Sequence, residues 1–353
     1  MDSKAAPLSG EKIVRSADPP NLEMPFSRLS GFITPTKLFY VRTHFPVPQI
    51  DRKDWRLRVE GEVEKPFEID YDELVKMEAR TMPVTLECAG NNRIFLDPPV
   101  KGVQWELGAV GNASWTGVPL SLLLERAGVT SNAREVILEG ADEGELEDVK
   151  APRGKVRFAR SIPLTKARND VVLAYQMNDA DLTGEHGFPL RAIVPGWYAM
   201  ASVKWLQRVI VTDRPFNGYY QTLDYAYWKN NELVPLSEMQ VKAEIASPVA
   251  NETVAANSRV RVRGAAWSSG EIAKVELSVD GGSTWNEARL IGESKANAWR
   301  LWEFDWRTPT KPGRATLVAR ATDSRGQTQP VEHDGNRGTY MINHLLPIEV
   351  EVR

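Results

Sequence analysis

Apolar and polar positions change rhythm along this chain, and the change divides it. From Phe32 to about Glu238 the pattern is mixed, with LFYVRTHF and WRLRVEGEV alternating in the two-residue period of half-buried strands. Asp70 followed three residues later by Glu73 has capping-box spacing and predicts a short helix over YDELVKMEA. Pro119 before LSLLLERAG sets apolar residues on one helical face with Gly128 just past the end, which predicts a second, structural helix. Beyond SEMQVKAEIASPVANETV the helical signals stop: RVRVRG, KVELSVDGGSTW, LWEFDW and RATLVARATD alternate strictly between Gly, Pro and Asp turns. Asp280-Gly281-Gly282 between two such runs signals a hairpin, and the succession of short strands predicts an immunoglobulin-like sandwich. The expected organisation is an N-terminal arm over residues 1–30, lying on the surface rather than packed, an α+β domain over 31–238 and an all-β domain over 239–353. Tandem repeats, low-complexity tracts and heptads are absent from the sequence.

Composition narrows the classes. The 353 residues fit about two domains, each with its own core, and 42% hydrophobic with 26% charged residues is a globular balance. Forty-four Lys and Arg against 47 Asp and Glu give a net charge of -3 without a basic run, so a nucleic-acid partner is not expected. No apolar run reaches the length of about 18 residues that a membrane span needs, so a soluble chain with no membrane partner is expected. The start MDSKAAPLSG has no signal-peptide core, yet a removed leader leaves the compartment open. The single cysteine, Cys88, excludes an intrachain disulfide and any multi-cysteine metal site.

On residue type alone, Cys88 reads as a small buried hydrophobe. Its surroundings admit more. The strand-like PVTLE leads into Cys88-Ala89-Gly90-Asn91, a small-residue turn that holds the sulfur at a strand end, and the cation of Arg93 five positions on favours a thiolate. A nucleophilic cysteine would need a base, and His44, His186, His333 and His344 are available without a thiol-protease signature around them. Neither His-Glu-x-x-His nor paired cysteines occur, so one thiolate would anchor a metal only if a cofactor brought most of the other ligands.

TLECAGNNR, with LFYVRTHFPVP upstream, resembles the molybdenum-cofactor domain of the sulfite oxidase family. The likeness continues in order through KGVQWELGAVGNASWTGVPL, ARSIPL, VLAYQMND, GEHGFPLRAIVPG and SVKWLQRV, then GAAWSSG, LSVDGGSTW and AWRLWEF, spanning roughly residues 32–345. The resemblance implies molybdenum held by the dithiolene of a molybdopterin, by oxo groups and by the thiolate of Cys88. It implies an oxyanion pocket of Arg42, Arg93, Trp105, Tyr225 and Arg300. Tyr40, Arg42, His44, Asp142, His186, Arg191, Ser202, Val203 and Lys204 fall at positions that hold the pterin and its phosphate. Neither GxGxxG nor GxxxxGK is present, so nucleotide cofactors are disfavoured.

The implied reaction is oxidation of sulfite to sulfate by oxygen-atom transfer. Converging guanidinium groups suit that dianion because their hydrogen bonds to oxyanions are charge-assisted and geometrically defined. A homodimer held by the second domain is implied as well. Reduction of nitrate or of a sulfoxide, oxidation of another sulfur compound, a metal-free cysteine nucleophile and a non-catalytic binding protein remain as alternatives. The sequence departs from the pattern at Asn92, where many relatives carry a second basic residue after CAGN. No haem or flavin module is recognised, so electrons are expected to leave to an external acceptor such as a c-type cytochrome or oxygen.

Overall fold

The computed structural model describes residues 8–9, 11–146 and 152–353. Alternation in the first unit is realised in two five-stranded sheets. One runs Lys155–Pro163, Glu135–Glu145, Leu206–Thr212, Arg56–Gly61, Phe67–Asp70, antiparallel except where Leu206–Thr212 lies parallel to Arg56–Gly61. The other orders Ala180–Asp181, Val172–Met177, Val110–Pro119 and Arg80–Glu87, with Arg191–Ile193 pairing onto Val172–Met177. The helix after Pro119 spans Leu120–Ala127 and ends on Gly128 at φ 68°, the left-handed conformation that glycine reaches without steric cost. It buries Leu120, Leu123, Leu124 and Ala127 as its apolar stripe requires.

Three expectations are corrected. The helix after Asp70 covers only Tyr71–Leu74: the Asp70 carboxylate accepts from the Glu73 N–H at 2.8 Å, but only half of the capping box forms before the chain turns toward Arg80–Glu87. In LFYVRTHF only Val41–Arg42 is strand, because the backbone on either side turns to wall a cavity. The arm is packed rather than superficial where it is described. Lys12–Ser16 and Asn21–Glu23 pair with one another and onto Val41–Arg42, burying Leu22, Met24 and Phe26, and the buried Glu23 is neutralised by Arg15 at 2.5 Å. Residues 1–7 and 10 lie outside the described part of the chain.

The C-terminal unit is two sheets face to face. Lys242–Ser247, Arg259–Trp267, Arg300–Arg307 and Arg289–Ile291 form one; Thr253–Val254, Ile348–Val352, Gly313–Asp323, Ile272–Ser278 and Asn286–Glu287 form the other. Val262 and Trp302 from the first meet Val275, Leu277, Leu317 and Val350 from the second. The Asp280-Gly281-Gly282 turn links paired strands, as expected, in a long loop whose Asp280 carboxylate accepts from the Thr284 N–H and hydroxyl.

The cores do not divide as the domains do. Trp267 and Trp299, from the second unit, are buried in the main core of the first, and Trp299 Nε1 donates to the Phe32 carbonyl at 2.8 Å. A third cluster, separate from both, surrounds Cys88 with Phe39, Tyr40, Leu86, Trp105 and Trp115. No helix among the described residues is long and apolar enough to cross a membrane.

The junction carries a titratable group with a measurable consequence. Burial pushes the Glu244 carboxyl up from its ordinary 4.5 to about 8, against the pull of Lys242 at 4.0 Å and with repulsion from Glu87 and Glu23. A carboxyl whose pKa rises on folding keeps its proton where the unfolded chain has lost it, so its contribution to stability declines as pH climbs from 4.5 to 8 and is flat above. Glu244→Gln is therefore expected to raise the midpoint of thermal unfolding relative to the native chain at pH 8.5 and to change it little at pH 5. At about 1.4 kcal/mol per pKa unit the ceiling is roughly 5 kcal/mol. Equal differences at the two pH values would show that Glu244 is ionised throughout.

Candidate active site

Cys88 sits where the strand Arg80–Glu87 ends. Its N–H donates to the Ala109 carbonyl at 2.9 Å, its own carbonyl accepts from Asn91 N–H at 2.9 Å, and the residue is 5% exposed. The turn reverses through Asn92 at φ 72°, a left-handed conformation that Asn adopts more readily than most residues. Gly90 makes the reversal tight: a Cβ there would lie 2.1 Å from the Arg93 guanidinium, which folds back over this glycine.

Two cavities meet at this turn. Counting the space open at their mouths, they enclose roughly 650 and 690 Å³, and Arg42, Cys88 and Tyr225 line both. The first cavity is also lined by Tyr40, His44, Asp142, His186, Arg191, Ser202, Val203 and Lys204. All nine cofactor positions expected from the sequence thus face one space. The second adds Arg93, Lys101, Asp224, Thr339 and Tyr340.

The first cavity is built for an anionic, hydrogen-bonding guest. Arg191 donates to the carbonyls of His186 and Ser202, both at 3.1 Å, and lies 4.9 Å from the Trp115 ring centroid, while its buried Nε has no partner among the described residues. The Ser202 hydroxyl accepts from Val194 N–H at 3.0 Å, and the Val203 carbonyl from Ala192 N–H at 2.8 Å, which fixes the segment leading to Lys204. Lys204 Nζ donates to the Glu185 carbonyl at 2.8 Å. Asp142 Oδ1 is buried with no partner among the described residues. Burial raises the Asp142 carboxyl to about 7 against the attraction of Lys204, and pulls Lys204 well down, with Arg191 repelling it further. Burial and then Arg191 hold His186 neutral, while burial lowers Arg191 to about 10. Cations desolvated this far want an anion, and buried polar atoms left unpaired want a ligand. This donor set fits a pterin phosphate, and one soft thiolate fits a metal whose other ligands come with the pterin.

Arg42 and Tyr225 form the partition. Arg42 Nη1 donates to Asn21 Oδ1 at 3.2 Å and to the Thr43 carbonyl. Burial alone would lower Arg42, but Tyr225, Cys88, Tyr340 and Asp224 outweigh it and raise its pKa. Tyr225 OH lies 2.8 Å from His44 Nε2, whose ring stacks on Phe158 and is kept neutral by burial and by Arg42. Burial also raises the Cys88 thiol, with Arg42 and Arg93 opposing.

Arg93 reaches the second cavity. Its Nε donates to Thr339 Oγ1 at 2.6 Å and its Nη1 to the Val103 carbonyl at 2.8 Å, with the guanidinium 5.3 Å from the Tyr340 ring centroid. Two expected pocket residues lie elsewhere. Trp105 is fully buried behind the wall, edge-on to Tyr40 at 6.5 Å, because the third core claims its ring. Arg300 begins a strand of the second unit opposite Ala266 and lines neither cavity.

Thr339 and Tyr340, and not Arg300, line the second cavity from the C-terminal unit. The Tyr340 hydroxyl donates to Asp224, and Met341 N–H donates to the Ala89 carbonyl at 2.8 Å. No sequence signal marked Thr339, Tyr340 or Asn21, since each acts through a distant partner. Lys101 stands within an identified block but beside the more conspicuous Trp105.

Residues 44–220 match the model of the oxidoreductase molybdopterin binding domain, and residues 234–352 that of the Mo-co oxidoreductase dimerisation domain. The chain is 34% identical over 341 residues to mitochondrial sulfite oxidase of Mus musculus, covering 90% of this chain and 61% of that one. It is 33% identical over 351 residues to the NADH nitrate reductase of Petunia hybrida, covering 88% of this chain and 38% of the relative. It therefore spans about three fifths of the length of the mouse protein and less of the plant one. The crystal structure of the sulfane dehydrogenase SoxCD from Paracoccus pantotrophus is similar at a TM-score of 0.83 and 28% identity, over 98% of this chain and 88% of that one. With both domain models matched in order and the thiol turn set between the two cavities, the chain belongs to the sulfite oxidase family of molybdopterin-binding oxidoreductases.

Proposed function

We propose that this protein oxidises sulfite to sulfate with a molybdenum-molybdopterin cofactor and passes the electrons to an external acceptor. One observation carries the reading: Cys88 lies at the junction of a cavity rich in phosphate and pterin donors and a second cavity carrying Arg42, Arg93 and Lys101. Cys88 would ligate the metal, with His186, Arg191 and Lys204 holding the phosphate and Asp142, Tyr40, His44, Ser202 and Val203 the pterin. When bound, the molybdenum centre supplies the oxygen atom and takes up the electron pair from sulfur.

The chain's own residues do the rest. Arg42 and Arg93 bind and orient the oxyanion through charge-assisted hydrogen bonds. The neutral His44 shares a hydrogen bond with the Tyr225 hydroxyl, which holds the phenol at the partition between the two cavities. The buried Trp105 keeps Tyr40 in place rather than touching substrate.

A second reading has its own support. With Arg300 outside and Tyr219, Tyr225 and Tyr340 lining the second cavity, the wall is more aromatic than a bare dianion requires, which favours a bulkier reduced-sulfur compound. We further propose that residues 31–238 form the catalytic domain and that the immunoglobulin-like unit, residues 239–353, pairs two copies into a homodimer.

Elemental analysis of the purified protein tests the first reading. About one molybdenum per chain is expected, with a change in visible absorbance on adding sulfite and turnover with an artificial one-electron acceptor but not with nitrate. Metal-free protein with full activity, or turnover confined to nitrate, would overturn it.

A further inference from the structure

We propose that Lys242, from the second unit, is a positioning residue of the Cys88 turn, its ammonium bridging the residue before the thiol to the residue that aims Arg93. Lys242 Nζ donates to Glu87 Oε1 and to Asn92 Oδ1, each at 2.5 Å. Lys242 is 2% exposed, Glu87 0% and Asn92 1%, so the bridge is sealed from water. The other Glu87 oxygen accepts from Trp267 Nε1 at 2.9 Å, and Trp267 pairs with Lys242 across adjacent strands. The second unit therefore grips the turn twice, through one carboxylate.

The position of these bonds decides their role. Glu87 is the last residue of its strand, and Asn92 is the left-handed residue from which Arg93 departs. Holding both ends fixes the path of the four residues between them, Cys88 included. Asn91 is held from the same side, its Nδ2 donating to Glu87 at 3.3 Å and its Oδ1 accepting from Ala109 N–H at 3.0 Å.

The bridge also answers the departure noted at Asn92. The positive charge expected in the turn itself arrives from another domain, and because Glu87 neutralises it there, its action is geometric rather than a change of field in the substrate cavity. A buried ion pair is often no more stabilising than an apolar replacement, so stability alone does not explain a lysine here.

The inference rests on Cys88 being the metal ligand, and the single cysteine allows a test that does not depend on that reading. Metal-free native protein, Lys242→Met and the pair Asn92→Arg/Lys242→Gln are alkylated with a maleimide, and the rate at Cys88 is followed beside far-ultraviolet circular dichroism. Loaded samples are compared for molybdenum content, visible absorption, kcat and KM. Lys242→Met is expected to keep its circular dichroism, alkylate at least about tenfold faster, and lose about 10- to 100-fold in metal retention or kcat/KM, as when a group supporting a metal ligand is removed. Returning a cation to the turn in the paired variant should bring the alkylation rate most of the way back.

If Lys242→Met does not fold, Asn92→Gly, which keeps the left-handed backbone and removes only one end of the bridge, is read in the same way. A native alkylation rate in the folded variant that is read, or a folded paired variant alkylating as fast as Lys242→Met, overturns the inference. Native protein without molybdenum would sink the proposed function, while the alkylation rates would still report on the bridge.

Discussion

Cys88→Ser is expected to abolish turnover while the protein stays folded. The backbone of the turn is held by Cys88 N–H on Ala109, Asn91 N–H on the Cys88 carbonyl and Met341 N–H on Ala89, none of which involves the sulfur. Cys88 belongs to the apolar cluster of Tyr40 and Trp105, and burying a hydroxyl there costs at most about 1–3 kcal/mol. That is a modest loss for a chain of this size, and it shifts the thermal midpoint by several degrees at most.

Activity should respond very differently. A hard alkoxide in place of a soft thiolate is a poor partner for a metal chosen for sulfur ligation. The loss in kcat should therefore exceed the roughly 10- to 100-fold typical of residues that only support a ligand. Steady-state assay with an artificial acceptor, beside elemental analysis and circular dichroism, separates the two effects. A serine variant that keeps its metal and native kcat would remove Cys88 from the chemistry and reopen the reading of a small buried hydrophobe.

Part of this site is legible within a few residues, and the rest, such as His44 beside Tyr225, only through the family resemblance. Cys88, Gly90 and Arg93 make one turn, and the turn's chemistry follows from its composition: a thiol at a strand end, a glycine where a guanidinium folds back, an asparagine where φ is positive. His186 and Arg191 likewise share a short loop, joined by a hydrogen bond between residues five apart.

What stayed hidden depends on long-range packing. Asn21 holds Arg42 across the pairing of Asn21–Glu23 with Val41–Arg42, and the stretch containing it looked like surface because Asp18, Pro19 and Pro20 break any period around it. Trp105 and Tyr340 show the same limit from opposite sides. A tryptophan in a strong block proved to be wall backing, and a tyrosine in a segment without periodicity proved to be wall. The strand pattern of the second unit predicted its two-sheet build but not that Trp267 and Trp299 would leave it for the neighbouring core. Alternation tells which residues are buried, not against what.

Arg42→Gln and Arg300→Met should divide sharply in kinetics, because the structure places one in the partition between the cavities and the other outside both. Arg42 is anchored by Asn21 and Thr43 through one nitrogen, while its charge faces Cys88, Tyr225 and Tyr340. A hydrogen bond to a charged group contributes about 1.5–3 kcal/mol. Replacing the guanidinium by an amide should therefore raise KM for sulfite by roughly 10- to 150-fold, at about 1.4 kcal/mol per decade. Competitive inhibition by sulfate, the product under the proposed function, should weaken by a similar factor, because it presents the same kind of oxygens to the same donor. A larger fall in kcat/KM than in sulfate affinity would mean that Arg42 acts chiefly on the transition state rather than on binding. Arg300→Met should leave both constants within about twofold, as substitutions away from a site usually do. Were Arg300→Met to weaken sulfite and sulfate as much as Arg42→Gln, the strand beginning at Arg300 would have to swing over the cavity during turnover. Thr85 N–H on the Asn297 carbonyl, and Trp299 N–H on Thr85 Oγ1 at 2.8 Å, argue against such a swing, since they lock the approach to that strand onto the one that ends at Glu87, just before Cys88.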